Sequence, residues 1–146
     1  MKKQDYSTSI TVNATAQEAF KSINSVSKWW TEDLEGRSQK PNDEFTVHFG
    51  ETFITMKIVE LVPDKKIVWH VTDCYKHWLK DKKEWKDTKM NWKISSKKGA
   101  TQITFTHIGL VPGLECYDGC ENAWGQYIKG SLLKLLTKGK EVPELK

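Results

Sequence analysis

The segment from Leu114 to Lys138 carries the longest helical periodicity in the chain, and its length limits what the remaining residues can form. Apolar and small residues recur along it at three- and four-residue spacing, which is typical of an amphipathic helix. This stripe consists of Cys120, Trp124, Tyr127, Ile128, Ser131, Leu132 and Leu135. Asp118 and Glu121 have the spacing of a capping box, and Gly139 stands where helices commonly end. A helix of twenty-odd residues spans roughly 30 Å, so we expect a packing surface of similar length.

Two glycines, Gly125 and Gly130, lie inside the predicted helix. Glycine lowers helix stability by about 1 kcal/mol relative to alanine, so two of them need a structural reason. We expect both to permit close packing against a neighbouring backbone.

The residues before this segment predict short helices followed by a run of strands. Thr15 and Glu18 form a capping-box pattern that begins a helix ending near Asn24, and Val26 to Trp30 adds a further turn. The loop onward to Asn42 is polar and rich in turn residues.

Alternation predicts strands at Tyr6–Val12, Glu44–Phe49, Thr52–Val62, Lys66–Asp73, Met90–Ile94 and Ile103–His107. Short turns, such as Gly50-Glu51 and Pro63-Asp64-Lys65, predict an antiparallel sheet of six or seven strands.

Length and charge narrow the class of protein. A chain of 146 residues predicts one domain over residues 1–146. Lys and Arg number 23 against 19 Asp and Glu, an excess too small to indicate a nucleic-acid binder.

No apolar run follows the N-terminal lysines, so we expect neither a signal peptide nor a membrane span. We therefore expect a cytoplasmic location. Cys74, Cys116 and Cys120 form no regular framework, so we expect reduced thiols.

Several landmarks along the chain, taken in order, carry a family resemblance. They are Ala19-Phe20, Trp29-Trp30, Ile58-Val59-Glu60 with Pro63, Ile67-Val68-Trp69, the stretch from Thr101 to His107, and the terminal pattern of Trp124, Tyr127, Ile128, Ser131 and Leu132. Their order resembles the family named for activators of the heat-shock-protein-90 ATPase, within the START-like (SRPBCC) superfamily. The resemblance implies an α+β helix-grip fold: a six- to seven-stranded curved antiparallel sheet, two short N-terminal helices, and a long C-terminal helix over the concave face.

The resemblance also implies a cavity between the sheet and the C-terminal helix, where a small hydrophobic or amphipathic molecule binds. Alternation turns a set of aromatic and apolar residues toward that space. The candidate ligand-binding residues are Trp30, Phe45, Phe49, Met56, Trp69, Trp92, Phe105, His107, Trp124, Tyr127 and Ile128. Side chains of this size either line a pocket or fill the space as a core, and the sequence leaves both alternatives open.

His107 is the most informative polar residue, because alternation puts it on the same face as Ile103 and Phe105. An imidazole there either orients a ligand, acts as an acid or base, or is a core histidine paired with a hydroxyl or backbone group. By the same alternation His48 and His70 face solvent.

Cys116 and Cys120 stand four residues apart, one helical turn. A zinc site requires four ligands, and only His77 and His107 are left to complete one, so we expect no metal site. Helical geometry also holds two such sulfurs too far apart for an unstrained disulfide. We interpret both cysteines as small residues packed beneath the start of the helix, and we expect no cofactor.

The stretch from Cys74 to Lys89 is longer than the usual connection between its flanking strands. It interleaves six lysines with aromatic residues and three acids, and the acids argue against nucleic-acid binding. We expect Trp78 and Trp85 to form a lid over the cavity mouth, with the lysines toward water.

Two further functions stay open at this point. The resemblance implies contact with heat-shock protein 90 through the lysine-rich stretch as a co-chaperone. An enzyme with His107 as base, acting on an enclosed aromatic or polyketide-like compound, is the third alternative, although no catalytic motif demands it. We expect no catalytic residue, and a monomer or a homodimer.

Overall fold

The computed structural model describes residues 5–31, 33–76, 80, 82–97, 100–111 and 117–138. The elements in chain order are β1 (Tyr6–Val12), α1 (Ala16–Asn24), α2 (Val26–Trp29), β2 (Leu34–Gly36), β3 (Glu44–Phe49), β4 (Thr52–Val62), β5 (Lys66–Tyr75), β6 (Lys89–Lys97), β7 (Ala100–Ile108), α3 (Tyr117–Gly125), a π-helical segment (Gln126–Leu132) and α4 (Leu133–Lys138). This α+β arrangement confirms the predicted fold class.

The strands form one antiparallel sheet of seven strands in the order β1-β7-β6-β5-β4-β3-β2. The first strand of the chain therefore pairs with the last, with Tyr6 opposite His107 and Val12 opposite Thr101. The short edge strand β2 is a correction, because the sequence had predicted a polar loop there. Among the described strands it pairs with β3 alone, at the edge of the sheet.

Two register shifts interrupt the pairing of β4 with β5. One leaves Thr72 as an extra residue on β5, and the other leaves Val59 as an extra residue on β4. An extra residue bends its strand and reverses which face the following side chains occupy. Both shifts lie in the long central hairpin, where they contribute to the curvature of the sheet.

Local sequence explains the boundaries of several elements. The Thr15 hydroxyl accepts from the backbone N–H of Glu18, and the Glu18 carboxylate accepts from the backbone N–H of Thr15, so the predicted capping box is confirmed. Gly50 has a φ of 65° in the two-residue turn between β3 and β4, a conformation that glycine adopts without strain.

The inner face of the sheet carries the core, as alternation predicted. Phe45, Met56, Trp69, Trp92 and Phe105 are all buried. Phe49 also lies on this face but is only half-buried. The packed interior continues from the sheet to the C-terminal helix, since the Phe105 ring lies 4.5 Å from that of Trp124.

The C-terminal helix runs through the π-helical segment without a break, because Gly125 and Leu133 keep right-handed helical dihedrals on either side of it. Its buried residues Cys120, Trp124, Ile128 and Leu132 lie four apart. A four-residue step in an α-helix passes a full turn by about 40°, whereas the same step in the wider π turn falls short of one. Alternating the two geometries keeps a four-residue stripe against the sheet.

Two details of the predicted helix differ. A methyl group built on Gly125 or Gly130 meets no atom outside the adjoining helix backbone within 4 Å, so the expected close approach of a neighbouring backbone at these glycines is wrong. The predicted start at Leu114, Cys116 and the stop at Gly139 lie outside the described residues, as does the capping side chain of Asp118.

Candidate ligand cavity

A cavity of about 260 Å³ lies between the C-terminal helix, the β3–β4 hairpin and the segment that follows β5. Aromatic and aliphatic carbon dominates its wall. The described residues that line it are Trp30, Phe49, Thr52, Ile54, Lys76, Trp85, Gly119, Cys120, Ala123, Trp124 and Tyr127. The space is large enough for a compact molecule of one or two rings, and its wall is of the kind that binds apolar ligands.

Trp30, at the end of the second short helix, organises the aromatic part of the wall. The centre of its ring lies 5.0 Å from the ring centre of Trp124 and 6.2 Å from that of Tyr127. On the sheet side it stacks on Trp69 at 6.3 Å. Trp85 stacks in parallel on Trp124 at 5.9 Å. Because these rings support one another, the wall has a defined shape.

The sequence candidates divide between this wall and the packed interior behind it. Trp30, Phe49, Trp124 and Tyr127 line the cavity, and so does Trp85. The rest are buried without lining it: Phe45, Met56, Trp69, Trp92, Phe105, His107 and Ile128. The two alternatives left open by the sequence therefore coexist, with a filled interior against the sheet and an open space beside it.

His107 is fully buried and both of its ring nitrogens are engaged. The Trp124 indole N–H donates to Nδ1 at 3.1 Å, which leaves the proton on Nε2 to donate to the Thr88 hydroxyl at 2.9 Å. That hydroxyl donates in turn to the backbone oxygen of Trp85 at 2.6 Å. Burial, with a smaller contribution from the Lys76 charge, lowers the pKa of His107 to about 3. His107 is a neutral hydrogen-bonding link beneath the wall and offers no nitrogen to a ligand.

Lys76 corrects the expectation that the lysines of this stretch point to water. It is only 3% exposed, and its ammonium lies 3.6 Å from the centre of the Trp85 ring, on the cavity wall. Burial lowers the pKa of Lys76 to about 8, against weaker opposing effects of Cys74 and Glu84. A buried cation on an apolar wall is the one strongly polar feature among the described lining residues.

The other members of this stretch have different surroundings. Trp85 is buried as part of the wall, whereas Trp78, the other predicted lid residue, lies outside the described residues. Lys83 is exposed and its ammonium lies 2.7 Å from the Asp73 carboxylate, which lowers the pKa of that carboxyl.

The cysteines differ from one another. Cys74 is a buried free thiol, and burial raises its pKa. Cys120 is disulfide-bonded, which corrects the expectation of reduced thiols throughout; Cys116 lies outside the described residues. Within the described ranges, no group of three or more His, Cys, Asp or Glu side chains is placed to hold a metal ion.

Sequence reasoning missed several lining residues. Thr52 and Ile54 have the same parity as Met56 on β4, so extending that row toward the turn would have included them. Ala123 precedes Trp124 on the helix and is too small to stand out. Lys76 lies beyond the predicted strand Lys66–Asp73, in the stretch whose lysines were expected to face water.

A seven-stranded antiparallel sheet that holds a C-terminal helix, with an apolar cavity at their junction, defines the helix-grip fold of the START-like (SRPBCC) superfamily. Within that class, the family described as "Activator of Hsp90 ATPase homolog 1-like protein" matches residues 14–137. The chain belongs to this family.

Solved structures of the same fold are similar over most of the chain. An Aha1 dimer from Colwellia psychrerythraea has a TM-score of 0.76 at 19% identity, covering 94% of this chain and 99% of that one. Protein MLL2253 from Mesorhizobium loti gives 0.71 at 11% identity, covering 93% and 99%. DynU16, from the dynemicin biosynthetic locus, gives 0.67 at 16% identity, covering 92% of this chain and 47% of that one. No curated protein matches the sequence.

The described helices were also considered as membrane spans. None of them combines the length and the apolar character that crossing a bilayer requires.

Proposed function

We propose that this protein binds a small hydrophobic or amphipathic molecule in the cavity between its sheet and its C-terminal helix. The observation that carries the proposal is the space of about 260 Å³ with a predominantly aromatic wall. Apolar surface that is left uncovered costs free energy, so a cavity of this kind gains by enclosing an apolar ligand. Trp30, Phe49, Trp85, Trp124 and Tyr127 would provide the contacts.

The test is to fill the cavity. Ala123 lines it, whereas the neighbouring Asn122 is exposed and borders a polar groove on another side of the same helix. We expect α-naphthaleneacetamide, a neutral bicyclic probe, to bind the wild-type protein saturably in isothermal titration calorimetry. Ala123→Trp should abolish that binding, and Asn122→Trp should retain it.

Circular dichroism of both variants checks that each is folded. Absence of binding to the wild type, or unchanged binding to Ala123→Trp, would overturn the proposal. Native mass spectrometry of freshly purified protein adds a direct measurement, since it reports a retained ligand and distinguishes a monomer from a homodimer.

Contact with heat-shock protein 90 is a second candidate, favoured by membership of a family named for activators of its ATPase. Lys80 and Lys86 are exposed in the stretch that we predicted as the contact surface. ATP turnover by the chaperone, measured with and without saturating amounts of this protein, tests the idea. An unchanged rate ends it.

The enzymatic alternative receives no support from the geometry of His107. A general base needs a ring nitrogen within hydrogen-bonding reach of its substrate. Both nitrogens of His107 are already used, and its pKa of about 3 is far from neutral.

A further inference from the structure

The two edges of the sheet differ in how they are protected from further strand pairing. Alternate backbone N–H and C=O groups of an edge strand point away from the sheet, so an unprotected edge can accept another strand. The edge strand β2 is only three residues long, contains Glu35 and ends at Gly36, whose φ is 89°. A short strand with a charged side chain and a glycine gives another chain little to pair with.

The other edge strand, β1, has none of these features. It is seven residues long and contains no charged residue, proline or glycine. Its register with β7 continues without a bulge from Tyr6 to Val12, and no other described strand pairs with it. Ser7, Ser9 and Thr11 are exposed along it. β1 is therefore a regular, uncharged edge that can pair with a further strand.

A polar groove lies between the first half of β1 and the C-terminal helix. On the strand it is lined by Tyr6, Ser7 and Thr8. On the helix it is lined by Glu121, Asn122, Gly125, Gln126 and Lys129. This groove is on a different side of the helix from the ligand cavity, so a second chain can approach β1 here without entering the cavity.

Charge along the groove is arranged about its middle. Glu121 and Lys129 are exposed and stand four residues before and after Gly125, so each lies about 6 Å along the helix from that glycine. Glu121 marks the Tyr6 end: burial raises the pKa of Tyr6, and the nearby carboxylate raises it further. A two-fold axis beside Gly125 would place the acidic end of one groove against the basic end of another copy. The groove is therefore complementary in charge to itself.

We propose that this edge is a homodimer interface, in which β1 pairs antiparallel with β1 of a second copy, centred near Ser7, and Glu121 faces Lys129 of the partner subunit. The two seven-stranded sheets then form one continuous sheet. Two-fold symmetry is the commonest arrangement of homo-oligomers and uses the same surface on both subunits. Backbone hydrogen bonds provide the affinity in strand addition, and the charged pairs fix the orientation. The inference is independent of the cavity binding proposed above.

Sedimentation equilibrium of the whole protein over a range of concentrations measures the dimer. Because the paired surface is narrow and polar, we expect reversible association with a Kd on the order of micromolar. Ser7→Lys should abolish it, since two like charges would face each other near the axis. Glu35→Gln makes the same change in net charge on the β2 edge and should leave the Kd unchanged. Circular dichroism checks that both variants fold.

Charge exchange gives a second measurement that leaves β1 intact. Glu121→Lys and Lys129→Glu should each weaken the dimer roughly 10-fold, because each turns two attractive pairs of the dimer into repulsive ones. The double variant Glu121→Lys/Lys129→Glu should restore the wild-type Kd, since the facing charges are again opposite. This set decides the question if Ser7→Lys does not fold, because Ser7 also hydrogen-bonds to the backbone of Phe105.

Hydrogen exchange at high and low protein concentration locates the contact. Protection that grows with concentration should appear in Tyr6–Val12 and not in Leu34–Gly36.

Each contrary result has a definite meaning. A protein that stays monomeric at every concentration overturns the inference, whichever other chain then pairs with β1. A dimer that survives Ser7→Lys, or one that Glu35→Gln abolishes, overturns it because the contact then lies elsewhere. A double variant that does not recover the Kd contradicts the pairing of Glu121 with Lys129 of the partner subunit. Binding of α-naphthaleneacetamide is measured separately, so none of these results decides the cavity proposal.

Discussion

His107 and Lys76 are two buried basic side chains in neighbouring regions of one interior, and they are treated in opposite ways. His107 lies in the filled region, neutral and hydrogen-bonded through both nitrogens. Lys76 lies at the open region, where burial disfavours its charge. The filled region holds its buried basic group neutral and hydrogen-bonded, whereas the open region keeps a buried charge that lowers the stability of the fold. A cost in stability of this kind is common at functional sites.

Truncating a ring in each region should give the largest difference. Phe105 is fully buried against Trp92 and Trp124, so Phe105→Ala should lower the free energy of unfolding by about 3–5 kcal/mol. Phe49 is half-buried at the cavity, so Phe49→Ala should cost less than about 2 kcal/mol. Urea denaturation measures both, and equal losses would remove the distinction between filled and open regions.

Removing the buried cation should raise the free energy of unfolding, whereas truncating a ring lowers it. Lys76→Met should raise the free energy of unfolding by about 1–3 kcal/mol at pH 7, because the folded state no longer holds a disfavoured charge. The folded pKa of about 8 lies below the ordinary 10.5, so the wild type regains stability as pH rises from 8 to 10.5. The advantage of the variant should therefore shrink by pH 10.

Lys86→Met serves as the matched control, since that side chain is exposed. Its stability should differ little from that of the wild type at either pH. A destabilised Lys76→Met would show that the ammonium contributes net stability where it lies.

Lowering the pH should destabilise the fold through His107, in the filled region. The folded pKa of His107 is about 3 against an ordinary 6.5, so below pH 6.5 the unfolded state takes up a proton that the folded state refuses. This contribution is complete above pH 6.5 and is lost progressively as pH falls toward 3. Between pH 6 and 4 the wild type should lose up to about 1.4 kcal/mol per pH unit more than His107→Gln. Parallel slopes for the wild type and His107→Gln would contradict the buried, neutral His107.

The smallest effect tests the helix beside the cavity. A methyl group at Gly130 meets open space, so Gly130→Ala should raise the free energy of unfolding by at most about 1 kcal/mol through helix propensity. Gly50→Ala is the contrasting control, because a φ of 65° is strained for alanine and the substitution should destabilise the fold. Thermal unfolding followed by circular dichroism measures both, and a destabilised Gly130→Ala would show that the π-helical segment requires glycine.

The fold could be predicted from the sequence because alternation and helical spacing are local signals, and they recur along the whole chain. The rows ending at Phe105 and His107, and the stripe from Trp124 to Leu132, were read correctly for this reason. The short strand β2 was not, since three residues carry too little periodicity and depend on β3 for pairing.

Only about half of the site could be predicted from the sequence. Trp30, Phe49, Trp124 and Tyr127 were found by their size and position, but alternation cannot separate residues that fill an interior from those that border a space. Lys76 was missed because alternation from Trp69 turns it outward. The extra residue Thr72 reverses the parity of β5, so Cys74 and then Lys76 turn inward. That reversal depends on pairing with β4 and is invisible in β5 alone.

The pairing of β1 with β7 has a consequence for how the chain reaches its native state. Ser7 hydrogen-bonds to the backbone of Phe105, 98 residues later. Strand pairing across such a separation pays a large loop-closure entropy and slows folding. During synthesis, Tyr6–Val12 has no partner until the ribosome has delivered the seventh strand. Until β7 has been synthesised, the nascent chain therefore carries Tyr6–Val12 without its native partner, a state in which chaperones commonly protect growing polypeptides.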